Sequence, residues 1–459
     1  MQDTPMLDAL TTIVGDSAVI RDPAAMAPFL EDARKRAHAE ALCVVRPRDA
    51  REVAQIVRLC AARRAPLVPQ SGNTGLAYGS LPFGMPQAVL MSLSRMNAIR
   101  NVHPLAMTME VEAGCALRAA KDAAEAKNRF LPVTIGSEGT AQIGGVIASN
   151  AGGVNVLRYG MTRSVVLGLE VVLPDGTIVN GLRSLRKDNA GYDWKQLFIG
   201  TEGTLGVVTA AVLKLSPLPS RAATALVSID NPDSAIRLLA LAQDRLGDSL
   251  SAFELIAALC FELIEKHFAQ RAPIAPAPWH VLIETGGMSD AVTGEMEGFL
   301  AEALEEGLAR DAVIAQNTQQ AAQMWLLRER MANLGNREGR MVNHDISVPI
   351  ERIPDFITAA DAAVGAAFPG ARHLTFGHVG DGNLHYNLLV GPEPKTENVN
   401  ACVHRVVTDF GGSISAEHGI GRYRKADLLL NKSAEEIALM RRMKAMMDPE
   451  GVMNPGAVL

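Results

Sequence analysis

Two histidine-containing segments combine residue types and spacing that could do chemistry. One carries His378 and His385, seven residues apart around a glycine-rich turn, and the other carries the adjacent pair Glu417 and His418 between glycine-flanked positions. A single histidine is more often structural, but two histidines with one carboxylate form an established ligand set for divalent metals that leaves positions open for water or substrate. The pattern predicts a metal site, for which zinc is favoured and manganese and iron are also reasonable.

Three glycine-rich segments, at 69–76, 136–153 and 200–208, predict a site for a large ligand. Six glycines lie between 136 and 153, which costs backbone entropy unless a close contact compensates, such as a planar ligand against bare backbone. Consecutive amides in such loops can also hold phosphate oxygens, although 69–76 taken alone fits a plain surface loop equally well. No strand is followed by G-x-G-x-x-G with an acid about 20 residues on, and no Walker motif is present, which argues against nicotinamide and nucleoside triphosphate sites.

In their order, these segments resemble the FAD-binding domain of the vanillyl-alcohol oxidase and p-cresol methylhydroxylase (PCMH-type) superfamily, over about residues 40–216. Members that attach flavin covalently often use a histidine in the first loop; 69–76 contains none, so the resemblance implies noncovalent FAD. The implied FAD contacts are Pro69, Gln70, Ser71, Gly72, Asn73, Thr74, Gly75, Leu76, Pro132, Gly136, Ser137, Thr140, Gly144, Gly145, Ser149, Asn150, Gly152, Gly153, Tyr159, Gly160, Glu202, Gly203, Gly206, Val208 and Asn454.

Oxidation of an alcohol by a flavin needs a base for the hydroxyl proton and a group that stabilises the developing alkoxide. A neutral histidine is the usual base near neutral pH, and a metal can act as Lewis acid on the oxygen. A substrate carboxylate favours an arginine fork, and Arg328 is the candidate. Alternatively, Arg328 and Arg330 lie on a solvated helix face.

Over its whole length the chain resembles the FAD-linked oxidase group that contains D-2-hydroxyglutarate dehydrogenase, D-lactate dehydrogenase and the glycolate oxidase flavin subunit. The likeness to the D-2-hydroxyglutarate branch rests on the segments 69–75, 184–189, 377–385, 415–419 and 448–455. It implies metal ligands at His378, His385 and Glu417, and the base at His418. It further implies a substrate contact at Asn387 and a carboxylate clamp at Arg328.

Two positions depart from that branch. Where the branch has threonine four residues after the clamping arginine, this chain has Ala332, and where it has lysine before the aspartate of the next strand, this chain has Asn343. Both branch residues help to bind a substrate carboxylate. The departures leave 2-hydroxyglutarate, D-lactate and longer 2-hydroxy acids equally open; Arg337, Arg340 and His344 are candidates to compensate.

The function predicted from these features is a FAD-dependent, metal-assisted D-2-hydroxyacid dehydrogenase that forms a 2-oxo acid by hydride transfer to flavin N5. Electrons are expected to pass to an electron-transfer flavoprotein or a quinone. Three alternatives stay open: a dehydrogenase specific for D-2-hydroxyglutarate, a flavin-binding subunit of a multi-subunit glycolate or lactate oxidase, and a metal-dependent hydrolase.

The hydrophobic periodicity predicts an α+β fold whose elements position these segments. A two-subdomain FAD-binding domain is expected at 1–218, divided near residue 100, and a substrate or cap domain with an antiparallel sheet at 219–425. A helix near 433–447 and the tail, within 426–459, are expected to return to the FAD domain. Strands are predicted near 43–45, 66–69, 88–91, 107–113, 165–173, 205–214, 225–229 and 279–284, and helices near 232–245, 253–267, 290–306 and 317–334.

Composition narrows the class of protein. With 459 residues, 48% of them hydrophobic and a net charge of −6, the chain is long enough for several domains and lacks the basic character of nucleic-acid binders. Five scattered cysteines are expected to be buried thiols. The start of the chain has no basic stretch followed by an apolar one, so no signal peptide is expected, and no window of about 20 apolar residues predicts a membrane span. We therefore expect a cytoplasmic location, with loose attachment to the inner membrane as an alternative. A homodimer is also open.

Overall fold

A computed structural model describes residues 4–459. The first three residues, used above in the argument against a signal peptide, lie outside the described residues. The chain divides into two compact units. Unit 1 contains the residues up to Gly152, Met161–Leu218 and Glu417–Leu459, and unit 2 contains Gly153–Gly160 and Pro219–Ala416. These units are defined by compactness alone, so the predicted domain boundaries near residues 218 and 425 stay predictions.

The strands fall into separate sheets in the two units. Those of unit 1 are β1 (Val19–Ile20), β2 (Cys43–Val45), β3 (Leu67–Gln70), β4 (Val89–Ser92), β5 (Ile99–His103), β6 (Thr108–Glu112), β7 (Arg129–Phe130), β8 (Val166–Val172), β9 (Ile178–Gly181), β10 (Val207–Lys214) and β11 (Ser216–Pro217). Those of unit 2 are β12 (Arg221–Ile229), β13 (Leu250–Ala257), β14 (Trp279–Gly287), β15 (Asp311–Ile314), β16 (Met341–Val342), β17 (Asp345–Ser347), β18 (Arg372–His378) and β19 (Asn383–Leu389).

Helices connect and cover these sheets. In chain order they are α1 (Thr4–Val14), α2 (Pro23–Leu30), α3 (Ala50–Arg63), α4 (Leu117–Glu125), α5 (Ile143–Ala148), α6 (Val156–Tyr159), α7 (Thr162–Val165), α8 (Pro232–Leu246), α9 (Ala258–Phe268), α10 (Ala291–Glu305), α11 (Thr318–Met331), α12 (Gly335–Glu338), α13 (Ile353–Ala367), α14 (Thr396–Asp409), α15 (Lys425–Asn431) and α16 (Ala434–Met447).

The first sheet of unit 1 has the order β1-β2-β4-β3, in which β2, β4 and β3 are parallel. Its central strands are buried on both faces, which explains their unbroken apolar runs. Helix α3 begins after Asp49, whose carboxylate caps it by accepting hydrogen bonds from the amides of Arg51 and Glu52, both at 2.9 Å. The predicted strand, helix and strands between 43 and 92 are confirmed.

The second sheet of unit 1 is antiparallel, with the order β5-β6-β10-β8-β9. Its apolar side chains form one core with helices α4 and α5, in which Leu117, Ile143 and Ile147 pack with strand residues such as Leu169 and Ala211. Strand β10 begins at Val207, within the end of the third glycine-rich segment. Helix α5 is part of the second glycine-rich segment. The sheet therefore fixes the positions of the second and third glycine-rich segments.

Unit 2 is built on one antiparallel sheet with the order β15-β12-β14-β13-β18-β19-β16, and β17 also pairs with β19. Helices α9 and α11 bury Cys260, Leu263 and Leu327 with Leu282 and Leu374 of the sheet. The antiparallel sheet expected in this part of the chain is confirmed.

The C-terminal tail of the chain pairs with β3 in unit 1. The amide of Leu67 donates to the carbonyl of Val452 at 2.9 Å, and the amide of Asn454 donates to the carbonyl of Leu67 at 2.8 Å. Val452 and Met453 are buried in the same core as β3. Residues far apart in sequence thus complete one small sheet.

The helix predicted at 253–267 is wrong in its first part, because Leu250–Ala257 forms strand β13 and the helix begins only at Ala258. Seven of the eight strand residues are buried, with Ala257 partly buried. A short apolar run of this kind does not show an alternating pattern, so periodicity cannot distinguish it from a buried helix. The correction matters because it places Glu254 in the centre of the sheet.

Four of the five cysteines are buried as predicted, whereas Cys402 is partly exposed, which corrects the expectation for that residue. Burial raises the pKa of the thiols of Cys43, Cys60 and Cys260 to about 12. Within residues 4–459, no helix combines the length and the apolar composition needed to cross a membrane.

Candidate functional site

The three glycine-rich segments line one cleft in unit 1, which encloses about 990 Å³ when the open solvent at its mouth is included. His418 lines the same cleft. The predicted FAD contacts that line it are Pro69, Gln70, Ser71, Gly72, Asn73, Thr74, Gly75, Gly144, Gly145, Ser149, Glu202, Gly203, Gly206 and Val208. A concave site lined by bare backbone and a small number of polar side chains is typical of organic cofactor sites.

The remaining predicted FAD contacts are not among the residues that line this cleft. They are Leu76, Pro132, Gly136, Ser137, Thr140, Asn150, Gly152, Gly153, Tyr159, Gly160 and Asn454. Gly153, Tyr159 and Gly160 belong to the segment that is compact with unit 2. Their assignment to FAD stays a prediction. Ile135, Gln142 and Phe198 also line the cleft but were not predicted from the sequence. Their positions in or next to the glycine-rich segments were the only sequence feature that could have indicated them.

Strand β3 delivers the first loop to the cleft. Gln70, at its end, donates to the carbonyls of Phe29 and Ser80 at 2.8 and 3.2 Å. Asn73 adopts a left-handed φ of 53° and donates to the carbonyl of Glu31 at 2.8 Å. These hydrogen bonds tie the first loop to the backbone at residues 29–31 and 80 of unit 1.

Two glycines of the first loop serve different purposes. A Cβ atom on Gly72 would lie 2.1 Å from the carbonyl oxygen of Thr140, so only glycine allows the first and second segments to pack this closely. Gly75 lines the cleft and has nothing within 4 Å of such an atom. Its bare backbone is therefore exposed to whatever occupies the cleft.

Gln142 supplies an independent sign that the cleft accommodates a polar ligand. It precedes α5 and lines the cleft. Its Oε1 atom is buried and has no hydrogen-bond partner among the described residues. A buried acceptor of this kind is costly unless a ligand or water donates to it, and FAD carries hydroxyl, amide and amine donors that fit it.

Glu202 holds the segment that carries His418. Its carboxylate accepts hydrogen bonds from the amides of Ile420 at 2.8 Å and Gly421 at 2.9 Å. Burial raises the pKa of Glu202, while these two amides and the charge of Arg422 oppose the rise. Glu202 lines the cleft, and the FAD contact that the resemblance implies for it stays a prediction; its carboxylate contacts protein backbone in unit 1.

Asn454 and Arg422 brace the same region. The side-chain amide of Asn454 donates to the carbonyls of Gly79 and Glu202 at 2.9 and 2.7 Å. Arg422 donates to the carbonyl of Gly79 and to the Asn454 side chain, both at 2.9 Å. Burial lowers the pKa of Arg422 to about 10. The sequence reasoning missed Arg422, for which no motif gave a signal.

The two predicted histidine ligands lie together in unit 2. His378 ends β18 and His385 lies on β19, and their ring centroids are 5.6 Å apart. His378 is buried and His385 is partly exposed. Nδ1 of His385 lies 3.8 Å from a carboxylate oxygen of Asp345, its register partner on β17. This pair of imidazoles is a donor set that suits zinc, manganese or iron.

The carboxylate of Glu254 orients the imidazole ring of His378 through Nδ1. Nδ1 of His378 and the carboxylate of Glu254 form a short hydrogen bond, and Nε of Arg328 donates to the other carboxylate oxygen at 2.6 Å. Burial raises the pKa of Glu254, but the charges of His378 and Arg328 outweigh this effect and lower it to about 2. With Nδ1 engaged by a carboxylate, Nε2 is the nitrogen that can bind a metal. The sequence reasoning missed Glu254 because it assigned the residue to a helix.

Arg328 is buried, with 8% of its surface exposed, and its guanidinium group lies 4.6 Å from the centre of the Phe376 ring. The alternative that it lies on a solvated helix face is therefore wrong. Asn387 is also buried, and its side-chain oxygen accepts a hydrogen bond from the amide of His344 at 3.2 Å.

Glu417 directly follows the last residue of unit 2. The amide of Ala416 donates to the carbonyl of Asp345 at 3.1 Å, and Asp345 is the strand partner of His385. The assignment of Glu417 as third ligand stays a prediction.

Arg337 and Arg340, the two arginines named as candidates to compensate for Ala332 and Asn343, both contact other groups. Arg337 stacks 4.4 Å from the centre of the Phe268 ring, and Arg340 donates to Thr396 at 2.8 Å and to backbone carbonyls. His344, in contrast, lies next to Asn387.

Family comparisons cover most of the chain. The model described as "FAD linked oxidases, C-terminal domain" matches residues 218–458, and the model described as "FAD binding domain" matches residues 41–181.

Relatives match over nearly the whole chain. The mitochondrial D-2-hydroxyglutarate dehydrogenase of Bos taurus is 38% identical, covering 99% of this chain and 83% of the relative. The D-2-hydroxyglutarate dehydrogenase of Stutzerimonas stutzeri is 33% identical, covering 100% and 99%. A Saccharomyces cerevisiae protein named D-2-hydroxyglutarate–pyruvate transhydrogenase is also 33% identical, covering 94% and 89%.

Solved structures share the fold at low sequence identity. p-Cresol methylhydroxylase with substrate bound has a TM-score of 0.78 at 16% identity, covering 100% of this chain and 97% of the other. Alkyldihydroxyacetonephosphate synthase has a TM-score of 0.75 at 16% identity, covering 98% and 84%. The PCMH-type fold expected from the sequence is confirmed.

Proposed function

Because this chain belongs to the FAD-linked oxidase family, we propose that it is a dehydrogenase that oxidises D-2-hydroxy acids to 2-oxo acids with noncovalently bound FAD. The observation that most supports the proposal is the cleft of unit 1, which is lined by all three glycine-rich segments and by His418. The relatives named D-2-hydroxyglutarate dehydrogenase support the choice of substrate class.

The residues of the cleft fit FAD. The exposed backbone at Gly75 and the buried acceptor of Gln142 both suit a ligand with phosphates, hydroxyls and amide donors. The loop 69–76 contains no histidine, which supports a noncovalent cofactor. When bound, FAD supplies the acceptor for the hydride that leaves the substrate Cα.

His418 is the residue that takes the proton of the substrate hydroxyl in this proposal. A base at this position is needed because the hydride can leave only as the oxygen gives up its proton. Arg328 holds the substrate carboxylate through the N–H groups that Glu254 does not use. Asn387 is a further contact to the substrate.

A divalent metal would be held by His378, His385 and Glu417. The pairing of His378 with His385 in unit 2, and the hydrogen bond between His378 and Glu254, support this assignment. When bound, the metal supplies Lewis acidity for the hydroxyl oxygen of the substrate. Zinc is the first metal to test, followed by manganese and iron.

The proposed substrates are D-2-hydroxyglutarate and D-2-hydroxy acids with one carboxylate, such as D-lactate. Relatives favour the former, whereas Ala332 and Asn343 remove a hydroxyl and a cation from the place where the second carboxylate is expected. Electrons are proposed to leave through an electron-transfer flavoprotein or a quinone. Because one relative is named a pyruvate transhydrogenase, pyruvate is a useful additional acceptor to test.

The cytoplasmic location expected from the sequence is kept as a proposal, although several relatives are named mitochondrial. Fractionation of cells that produce the protein from its own gene tests it; recovery with an organelle or with sedimented membranes would contradict a cytoplasmic location. A homodimer is proposed as the assembly, and light scattering of the purified protein tests it.

The decisive experiment is an anaerobic screen of both enantiomers of several 2-hydroxy acids, with flavin absorbance as the signal. Flavin should bleach with at least one D acid and not with its L enantiomer. Dialysis against a chelator should slow the bleaching without releasing flavin, and zinc or manganese should restore it. A yellow protein that bleaches with none of the D acids would overturn the proposal; a colourless protein with bound metal would favour a hydrolase.

A further inference from the structure

We propose that Glu202 is a positioning residue whose carboxylate fixes the backbone after His418, and thereby holds that imidazole in the cofactor cleft. This inference rests on the proposed function, in which His418 takes the substrate proton. It gives Glu202 a role different from the cofactor contact that the sequence resemblance implies.

The contacts of the Glu202 carboxylate carry the inference. Its two oxygens accept three hydrogen bonds from the amides of Ile420 and Gly421, between 2.8 and 3.1 Å. These are the second and third residues after His418. A charged acceptor that binds consecutive amides holds a short segment more firmly than neutral hydrogen bonds do.

The segment has a conformation that needs such a partner. Gly419 and Gly421 both have left-handed φ angles, 76° and 53°, so the chain turns sharply on either side of Ile420. A Cβ atom on Gly419 would lie 2.8 Å from the Glu202 carboxylate. The two glycines thus let the backbone turn around the Glu202 carboxylate, so that the amides of Ile420 and Gly421 point at its oxygens.

Other contacts fix Glu202 itself. Its amide donates to the carbonyl of Ala148 at 2.8 Å, and its carbonyl accepts from Asn454 at 2.7 Å. Its backbone has a left-handed φ of 53°. The main chain of Glu202 is therefore held by hydrogen bonds that do not involve its carboxylate. A change to the side chain should then affect mainly the segment that follows His418.

The test compares Glu202→Gln with the wild-type protein. A glutamine offers one acceptor and points an amide donor at the other backbone N–H, so the segment should loosen. Hydrogen–deuterium exchange at Ile420 and Gly421 should become faster, and anaerobic flavin reduction by the substrate should slow by about 10- to 100-fold, the scale of a displaced catalytic group. The affinity for FAD should change much less than the rate of flavin reduction, since the main chain of Glu202 stays anchored by Ala148 and Asn454.

A double variant separates positioning from cofactor binding. In a His418→Ala background, Glu202→Gln should cause little further loss, because the two residues act through one imidazole. An equal loss in both backgrounds, or unchanged exchange at Ile420 and Gly421, overturns the inference. So does a loss of activity that follows loss of FAD.

Glu170→Gln is the matched control. Glu170 is a buried carboxylate of unit 1, which accepts from Thr209 at 2.9 Å and lies on β8. This variant should leave exchange at Ile420 and Gly421 unchanged; faster exchange there in the control as well would overturn a specific role of Glu202. If the wild-type protein oxidises no hydroxy acid, the proposed function fails, and the exchange measurement still decides whether Glu202 fixes the segment.

Discussion

The buried carboxylate of Glu254 contacts both a predicted metal ligand and the predicted carboxylate clamp. It hydrogen-bonds His378 and Arg328 at the centre of the sheet of unit 2, where water cannot replace either partner. Removing one member of such a group leaves a buried charge without compensation, at a cost of about 3–5 kcal/mol. The residue therefore affects stability, metal binding and substrate binding together.

We expect Glu254→Gln to weaken metal binding by about 10- to 100-fold, the usual effect of removing the carboxylate behind a ligating histidine. Isothermal titration of the metal-free holoprotein with zinc measures this effect. The matched control is Glu284→Gln, which changes a partly buried carboxylate of the same sheet, hydrogen-bonded by Trp325 and Thr224. Equal zinc affinities in the two variants would rule out the role assigned to Glu254.

Substrate preference should respond to the two positions that depart from the D-2-hydroxyglutarate branch. Ala332→Thr combined with Asn343→Lys adds a hydroxyl and a cation, and a hydrogen bond to a charged group contributes about 1.5–3 kcal/mol. The ratio of kcat/KM for D-2-hydroxyglutarate over D-lactate should rise by about tenfold or more. The reverse order of preference, or no change in the ratio, would show that these positions do not contact the second carboxylate.

At the scale of elements, the packing of the first glycine-rich loop on the second decides whether the cleft forms. Gly72→Ala would place a methyl group 2.1 Å from the carbonyl of Thr140, and overpacking of this kind costs about 1–3 kcal/mol. We expect a lower melting temperature and less bound FAD. Gly75→Ala, which meets nothing within 4 Å, should keep the melting temperature of the FAD-free protein. A similar fall in both variants would contradict this distinction.

Helix α12 is tied to its neighbours by one carboxylate. Glu338 accepts from Lys266 and His267 of α9 and from Arg372 of β18, and these hydrogen bonds lower its pKa to about 2. Since this value lies below the unfolded value of about 4.3, the ionised group stabilises the fold above that pH and loses its effect as the pH falls toward 2.

Glu338→Gln should therefore lower the melting temperature at pH 7, and the difference from wild type should shrink as the pH falls from about 5 toward 3. Calorimetry across this range measures it. Glu297→Gln, a change at an exposed position of α10, should show no such pH dependence. A constant difference for Glu338→Gln would mean that its ion pairs do not contribute.

Local sequence signals predicted most elements but not the partners that distant segments supply. The Asp49 cap and the apolar runs at β2, β3 and β4 are local, and so were predictable. Strand β13 lacked an alternating pattern because both of its faces are buried. The roles of Glu202 and Glu254 depend on residues 218 and 124 positions away, respectively, which no local pattern encodes. The resemblance supplied the candidate residues, but not which carboxylates orient them.

For the whole molecule, the order of the chain has a consequence for folding. The chain passes from one compact unit to the other four times, after Gly152, Gly160, Leu218 and Ala416. Unit 1 thus needs residues from both ends of the sequence. Its first sheet is completed only when the tail pairs with Leu67.

We expect a fragment of residues 1–218 to lack a cooperative unfolding transition, since it exposes the core that Val452 and Met453 cover. Losing each buried side chain costs about 2–5 kcal/mol. Joining residues 417–459 to the fragment through a flexible linker should restore the transition, as measured by circular dichroism. Cooperative unfolding of the fragment alone would show that the tail is dispensable.

The burial of the thiols bears on how the protein withstands its own chemistry. Reduced flavins that meet oxygen produce hydrogen peroxide, and peroxide attacks thiolates far faster than thiols. The pKa values of Cys43, Cys60 and Cys260 are raised to about 12, so these sulfurs carry almost no negative charge at neutral pH. Any peroxide formed at a reduced flavin should therefore oxidise these three buried thiols only slowly.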